Sequence, residues 1–218
     1  MPHVVTISAT YGAGGTTVGR TVAERLHLPY LERVVSPRLA RQTTNHGAES
    51  LAEDERHERL FQRIVEALAG LPLALGGAAP TPVEDVSTEE RVRADVEASI
   101  RSVAETTGGV VLGRAGMAVL ADRPGAFHVR LDGPKSRRVR QAMAREDIDE
   151  AEAARRLRET DRARALYVRR FYGCDPTDCA LYHLVIDSTA LPLAVCADLI
   201  ARGATAAWEL PPGWASRA

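Results

Sequence analysis

The chain has 218 residues, 45% of them hydrophobic and 26% charged, with a formal net charge of −1. That balance is ordinary for a globular protein and gives no global electrostatic reason to expect nucleic acid or an anionic membrane as partner. No run of 18 apolar residues occurs, and Met1-Pro2-His3 leads into a strand pattern without the regions of a secretory signal, so a cytoplasmic protein is expected.

Residues 4–8 are apolar or β-branched, as a buried strand requires. Gly12, Gly14 and Gly15 follow. Residues 16–26 then carry Val18, Val22 and Leu26 at helical spacing. A glycine turn feeding a helix N-terminus is an anion site, because N–H groups converge there and the helix dipole favours negative charge. Laid on Ala9 to Thr16, the triphosphate-binding pattern G-x-x-x-x-G-K-S/T finds Ala9 at its first glycine and Gly15 at its lysine. The only lysine of the chain is Lys135, and the other basic residues are arginines. Phosphate charge held here must therefore be met by backbone amides, by arginines and by a metal ion. Glycine turns also occur where a strand and a helix simply pack closely, so the degenerate pattern leaves both readings open.

Residues 27–31 form a short, proline-containing run that suits an edge strand. Pro37 is placed to start a helix over 36–42, 43–48 reads as a loop, and 50–69 has apolar residues at helical spacing. Residues 70–82 are rich in glycine, proline and alanine and read as a mobile connection. Ser87-Thr88-Glu89-Glu90 is a capping box, predicting a helix from there to about 106. A strand over 109–112 ends in the turn Gly113-Arg114-Ala115-Gly116. A second strand over 127–131 alternates with His128 and Arg130. Pro134 opens a helix to about 145, and a long alanine- and arginine-rich helix covers 150–170. A last strand at 184–186 precedes a helix opened by Pro192, and the tail from 209 is irregular. Strands alternating with helices predict an α/β fold, a mostly parallel sheet with helices on both faces. Cys174, Cys179 and Cys196 are an odd, sparse set, read as reduced thiols of structural or incidental character.

In such a sheet, ligands sit beyond the carboxyl ends of the strands. The glycine turn, Gly113-Arg114 and the loop around Asp132-Gly133 would meet there. Arg114 follows a strand directly; its position suits a guanidinium aimed at a substrate phosphate or base, and equally an ordinary turn arginine. Within 158–164, Arg158, Asp161 and Arg162 share a helix face, and Asp161 and Arg164 are three apart. One carboxylate among arginines can hold ribose hydroxyls while the guanidiniums grip phosphate, and a solvated, salt-bridged face has the same pattern. Residues 167–173 (YVRRFYG) add aromatics and arginines to the end of a helix too polar for a core, which suits a basic lid with an aromatic hinge.

Taken in order, the segments TISATYGAGGTTVGRTVAERL, PYLERVVSPRLA, VVLGRAG, LDGPKSRRVRQAMAREDIDEAEAARRLRETDRARALYVRRFYG and HLVIDSTALPLAVCADLI resemble the cytidylate kinase-like family of P-loop nucleoside monophosphate kinases. The resemblance implies one P-loop kinase domain over 1–218, with a five-stranded parallel sheet, a helical substrate-binding insertion at 43–107 and a lid-like segment at 146–175. It implies ATP and Mg²⁺ as cofactors and nucleotides as substrates, CMP or dCMP first. By that likeness Gly12, Ala13, Gly14, Gly15, Thr16 and Thr17 cradle the ATP phosphates, with the Thr16 or Thr17 hydroxyl near magnesium. Arg114 matches the arginine of the family's CMP-contacting turn, and Asp161 and Arg164 match residues that hold the acceptor. Arg158 lies one residue out of register with a lid arginine, and Arg33 sits near acceptor-site residues. Leu112 stands where cytidylate kinases carry a carboxylate. In the expected mechanism Arg158, Arg162 and Arg164 supply the cationic contribution, and arginines acting this way are worth about 10³–10⁵ in rate. A kinase for another small acceptor, or a nucleotide-binding regulator without turnover, is the alternative.

Overall fold

The structure is a computed structural model that describes residues 1–31 and 83–211. In chain order the described elements are β1 (Val4–Ala9), α1 (Gly15–Leu26), β2 (Tyr30–Leu31), α2 (Val83–Glu105), β3 (Gly109–Leu112) and α3 (Gly116–Val119). They continue with β4 (Ala126–Asp132), α4 (Lys135–Glu146), α5 (Glu150–Tyr172), a 3₁₀ turn (Cys179–Leu181), β5 (Leu184–Asp187) and α6 (Leu193–Trp208). The five strands form one sheet in the order β2-β3-β1-β4-β5, and every pairing is parallel. β1 lies at its centre, so the segment that follows β1 emerges in the middle of the sheet's carboxyl edge. The expected α/β class and five-stranded parallel sheet are what the chain forms.

Both faces of the sheet are covered, as parallel sheets require. On one face Val5 and Ile7 of β1 and Phe127, Val129 and Leu131 of β4 pack against Val18 and Val22 of α1 and Ala197 and Ile200 of α6. On the other, Val4 and Val111 meet Val96, Ile100 and Ala104 of α2. Each such valine or isoleucine taken from water contributes roughly 1.5–3 kcal/mol. This two-sided cover extends to the polar residues of β4. His128 and Arg130 do not mark a wet face, being only 1% and 8% exposed. The His128 Nδ1 shares a 2.7 Å hydrogen bond with the Thr6 hydroxyl, and Arg130 donates to Asp132 and to the Pro176 carbonyl.

Helix α2 starts at Val83, four residues before the capping box, so Ser87 stands inside the helix, where there is no open N-terminus to cap. The four-residue α3 was not expected, because one turn is too short to show periodicity. Helices α4 and α5 form a hairpin sealed by Val139, Ala142, Ala153 and Leu157. The Asp149 side chain caps α5 by accepting the Glu152 N–H at 2.8 Å. The far end of α5 is packed: Tyr167 and Val168 are buried with Ala115, Met117 and Tyr182. Cys174, Cys179 and Cys196 are unpaired. Among the described residues no helix is long and apolar enough to cross a membrane. The helix expected over 36–42, the loop and connection readings over 43–48 and 70–82, and most of the 43–107 insertion lie outside the described residues.

Candidate phosphate-binding site

The turn after β1 is built by one long-range and one local backbone bond. The Thr10 N–H donates to Leu131 O at 3.1 Å and extends the ladder to β4 by one step; the Ala13 N–H donates to Thr10 O at 3.1 Å and closes the turn. Gly12 and Gly14 both take φ of 77°, a left-handed angle that a side chain resists. Gly14 is the N-cap residue of α1 and offers no side chain to cap it. The helical ladder begins with Val18 N–H donating to Gly14 O at 3.1 Å, so the amides before it point out of the helix end, toward the sheet's carboxyl edge. From below, the Ser188 hydroxyl donates to Ala13 O at 2.7 Å.

Helices α4 and α5 close over this turn with arginines. Arg138, 4% exposed, donates through Nε to Gly133 O at 2.9 Å. Its Nη1 donates to Tyr11 O at 2.9 Å and to Asp161 Oδ2 at 2.7 Å. Asp161 Oδ1 in turn accepts the Tyr11 N–H at 2.8 Å. Arg164 Nη1 donates to Ala9 O at 2.8 Å, and Arg145 donates through Nη2 to the Thr17 hydroxyl. The Tyr11 hydroxyl donates to Glu146 Oε2 at 2.6 Å, and Arg156 donates to the same oxygen at 2.9 Å. Burial, reinforced by the Glu146 carboxylate, pushes the Tyr11 phenol up to about 12. Asp132, at the end of β4, accepts from Thr10, Gly133 N–H and Arg130. Burial favours its neutral form, but the Gly133 amide and the Arg130 guanidinium together hold the carboxyl below its usual range.

Of the residues singled out in the sequence, Gly12, Ala13, Gly14, Gly15, Thr16 and Thr17 form the turn and first helical turn, and Asp161 and Arg164 join them from α5. Both are bonded to the chain around the turn (Tyr11 and Ala9) and do not stand clear of it. Arg158 is exposed on α5, and Arg162 is half-buried on the same helix. Arg114 sits in the separate turn after β3 with φ of 55°, near enough to the Tyr167 hydroxyl to act on its charge. Arg33 lies outside the described residues. The sequence reading did not single out Tyr11, Arg138 and Arg145. The one available signal was that Arg138 and Arg145 are seven apart, hence on one face of α4.

Among the described residues no group of three or more His, Cys, Asp or Glu converges, and Asp132 already accepts four hydrogen bonds, from Thr10, Gly133 and Arg130. The Thr16 hydroxyl at the start of α1 is a hard oxygen donor of the kind that could hold a magnesium ion. Beside the turn, α4 and the β5–α6 loop enclose a cleft of roughly 440 Å³ lined by Arg137, Arg140, Gln141, Ser188, Thr189 and Leu191.

Comparison with known proteins bears on the family and the fold. The model of the cytidylate kinase-like family matches residues 4–190, from β1 to just past β5. A cytidylate kinase of Methanopyrus kandleri is 28% identical over 197 residues, covering 85% of this chain and 84% of that one. A cytidylate kinase of Natronomonas pharaonis is 23% identical over 188 residues, covering 86% and 82%. The crystal structure of an uncharacterized protein from Eubacterium ventriosum shares the fold with a TM-score of 0.64 at 16% identity, covering 93% of this chain and 98% of that one.

Proposed function

This chain belongs to the cytidylate kinase-like family, and from that premise we propose that it transfers the terminal phosphoryl group of ATP to a nucleoside monophosphate, CMP or dCMP first. The observation that carries the reading is the glycine turn at the centre of the sheet edge, with guanidinium groups brought to its rim from α4 and α5. The reaction asks little covalent chemistry of a protein. An acceptor phosphate oxygen attacks the γ-phosphorus in line, and the bond to the bridging oxygen of the departing ADP breaks. The protein must align the two and balance the charge spread over the moving group.

In this reading the amides of Gly12 to Thr17 hold the ATP phosphates, and the Thr16 hydroxyl would hold the magnesium ion, which would supply charge neutralisation for the phosphates. Arg158, Arg162 and Arg164 face the transferred group from α5. Arg114 holds the acceptor from the turn after β3, with Arg33 and the 43–107 insertion completing that side. Asp161 reaches the acceptor by releasing the Tyr11 amide. The lid at 146–175 then moves only at its α4 end, because Tyr167 and Val168 anchor the other end in the core. Gly15 and Leu112, standing where a lysine and a carboxylate are usual, favour a nucleotide-binding regulator as the second reading.

The test is incubation of the pure protein with ATP, magnesium and a panel of nucleoside monophosphates. The expected result is CDP formed from CMP. Turnover with a different acceptor alone moves the assignment to another small-molecule kinase. ATP binding without transfer moves it to the regulator. No heat of ATP binding at millimolar nucleotide overturns the phosphate site altogether.

A further inference from the structure

The two departures of the glycine turn from the triphosphate-binding pattern touch each other in space. A Cβ on Gly15 would stand 2.7 Å from the Ala9 Cβ and 3.1 Å from Leu112 Cδ1. Real Cβ atoms do not approach so closely, and neither Ala9 nor the strand that carries it can swing aside. Ala9 occupies the pattern's first glycine position and Gly15 its lysine position. An alanine at 9 therefore crowds any side chain at 15, so that the missing glycine and the missing lysine are sterically linked.

The cationic place is filled from elsewhere. Arg145, in the last turn of α4, bonds the Thr17 hydroxyl. Its Nη1 lies 3.0 Å from where a Cβ on Gly14 would be. The guanidinium thus covers the turn from Gly14 to Thr17, the two residues that bracket position 15 and its neighbour. Its backbone is fixed there, because the next residue, Glu146, accepts the Tyr11 hydroxyl from the turn itself. Among the described residues no carboxylate pairs with Arg145, so its charge is not consumed. Arg138, two helical turns earlier, is the contrast: it is buried and occupied by Asp161 and two backbone carbonyls.

We propose that Arg145 supplies, from helix α4, the polyphosphate-binding cation that a lysine at position 15 would otherwise provide, and that Ala9 is what obliges the substitution. A planar guanidinium can bind two phosphate oxygens at once, which an ammonium binds only as a point charge. The proposal rests on the phosphate-site reading above, and the experiment separates the two. Calorimetry with ATP and with inorganic tripolyphosphate is run on the wild type, R145A and R145K. If the wild type binds neither ligand, the phosphate site fails, and Arg145's role with it. If it binds both, R145A is expected to weaken each by about 10- to 100-fold with an unchanged melting temperature, and R145K to recover part of the loss. Wild-type affinity in R145A overturns the cation's role, as does an R145K affinity no better than R145A.

The steric half is read without ligand, by thermal unfolding of G15A, A9G and A9G/G15A. G15A is expected to melt roughly 5 °C lower than the wild type, and A9G to remove most of that penalty when combined with it. Additive losses overturn the link between positions 9 and 15. In the A9G/G15K/R145A protein, tripolyphosphate affinity should return to within about 10-fold of the wild type; no gain over R145A overturns the exchange of one cation for the other.

Discussion

Two glycine-bearing turns lead from strand to helix at the carboxyl edge of the sheet, and they are held in opposite ways. After β1 the glycines are demanded by their neighbours. A Cβ on Gly12 would collide with the Arg138 carbonyl, its carbon only 2.9 Å away, and one on Gly14 would meet Leu193 at 2.8 Å. After β3 the demand is conformational alone. Gly113 has φ of 72°, yet a Cβ there would meet nothing within 4 Å. Arg114 and Ala115 adopt left-handed angles of 55° and 51° and keep their side chains. The crowded turn is a rigid set of amides, suited to a polyphosphate, whose shape is the same in every nucleotide. The open turn leaves room beside Gly113 and carries a half-buried arginine, Arg114, suited to the part of a ligand that varies.

The sharpest test of this contrast is to add the same methyl group to each turn. Gly12→Ala combines the left-handed penalty with displacement of the α4 backbone and is expected to cost about 4 kcal/mol. Gly113→Ala carries the left-handed penalty alone and is expected to cost about 1 kcal/mol. Denaturant unfolding of the two variants measures both, and equal losses would erase the distinction.

Next in size is the tie between α5 and the crowded turn. Asp161→Ala removes the acceptor of the Tyr11 amide and leaves the Arg138 guanidinium, whose side chain is 5% exposed, without its closest carboxylate. A loss of about 3 kcal/mol is expected, less than a fully isolated charge would cost because two carbonyls still hold Arg138. Unfolding within about 0.5 kcal/mol of the wild type would show that the turn keeps its shape without α5.

The smallest effect concerns Tyr11 and depends on pH. Burial first, and then the hydrogen bond it donates to Glu146, push its phenol up to about 12 from an ordinary 10.0 and so favour the protonated form. A folded-state value raised in this way gives stability that is complete below pH 10 and is lost as pH climbs to about 12. Solvent screens this partly exposed pair, so the wild type should exceed Tyr11→Phe by no more than about 1 kcal/mol at neutral pH. That margin should disappear by pH 12, measured as the difference between the two unfolding curves at each pH. A margin that stays constant with pH would detach the Tyr11 hydroxyl from Glu146.

How much of this was legible beforehand depended on the range of the forces involved. The strand, glycine turn and helix at the start of the chain were readable because each follows from neighbours a few residues apart: β-branched burial, positive φ at glycine, and apolar spacing at 18, 22 and 26. The helix starts at Pro134 and Pro192 were readable for the same reason, since proline's fixed angle acts locally. The parallel class followed from the alternation of such segments. His128 and Arg130 were not readable as buried, because alternation along β4 says nothing about what covers its second face. Arg138, Arg145 and Arg158 look alike in sequence, three arginines on amphipathic helices. Only the packing of α4 and α5 over the glycine turn makes the first a buried strut, places the second on the turn and leaves the third in solvent. The sequence by itself determined the local conformations and the class of fold, because dihedral preference and burial periodicity act over one or two turns of chain. The tertiary structure alone decided which charges meet: Tyr11 and Asp161 are 150 residues apart, and no local preference encodes a hydrogen bond across that distance.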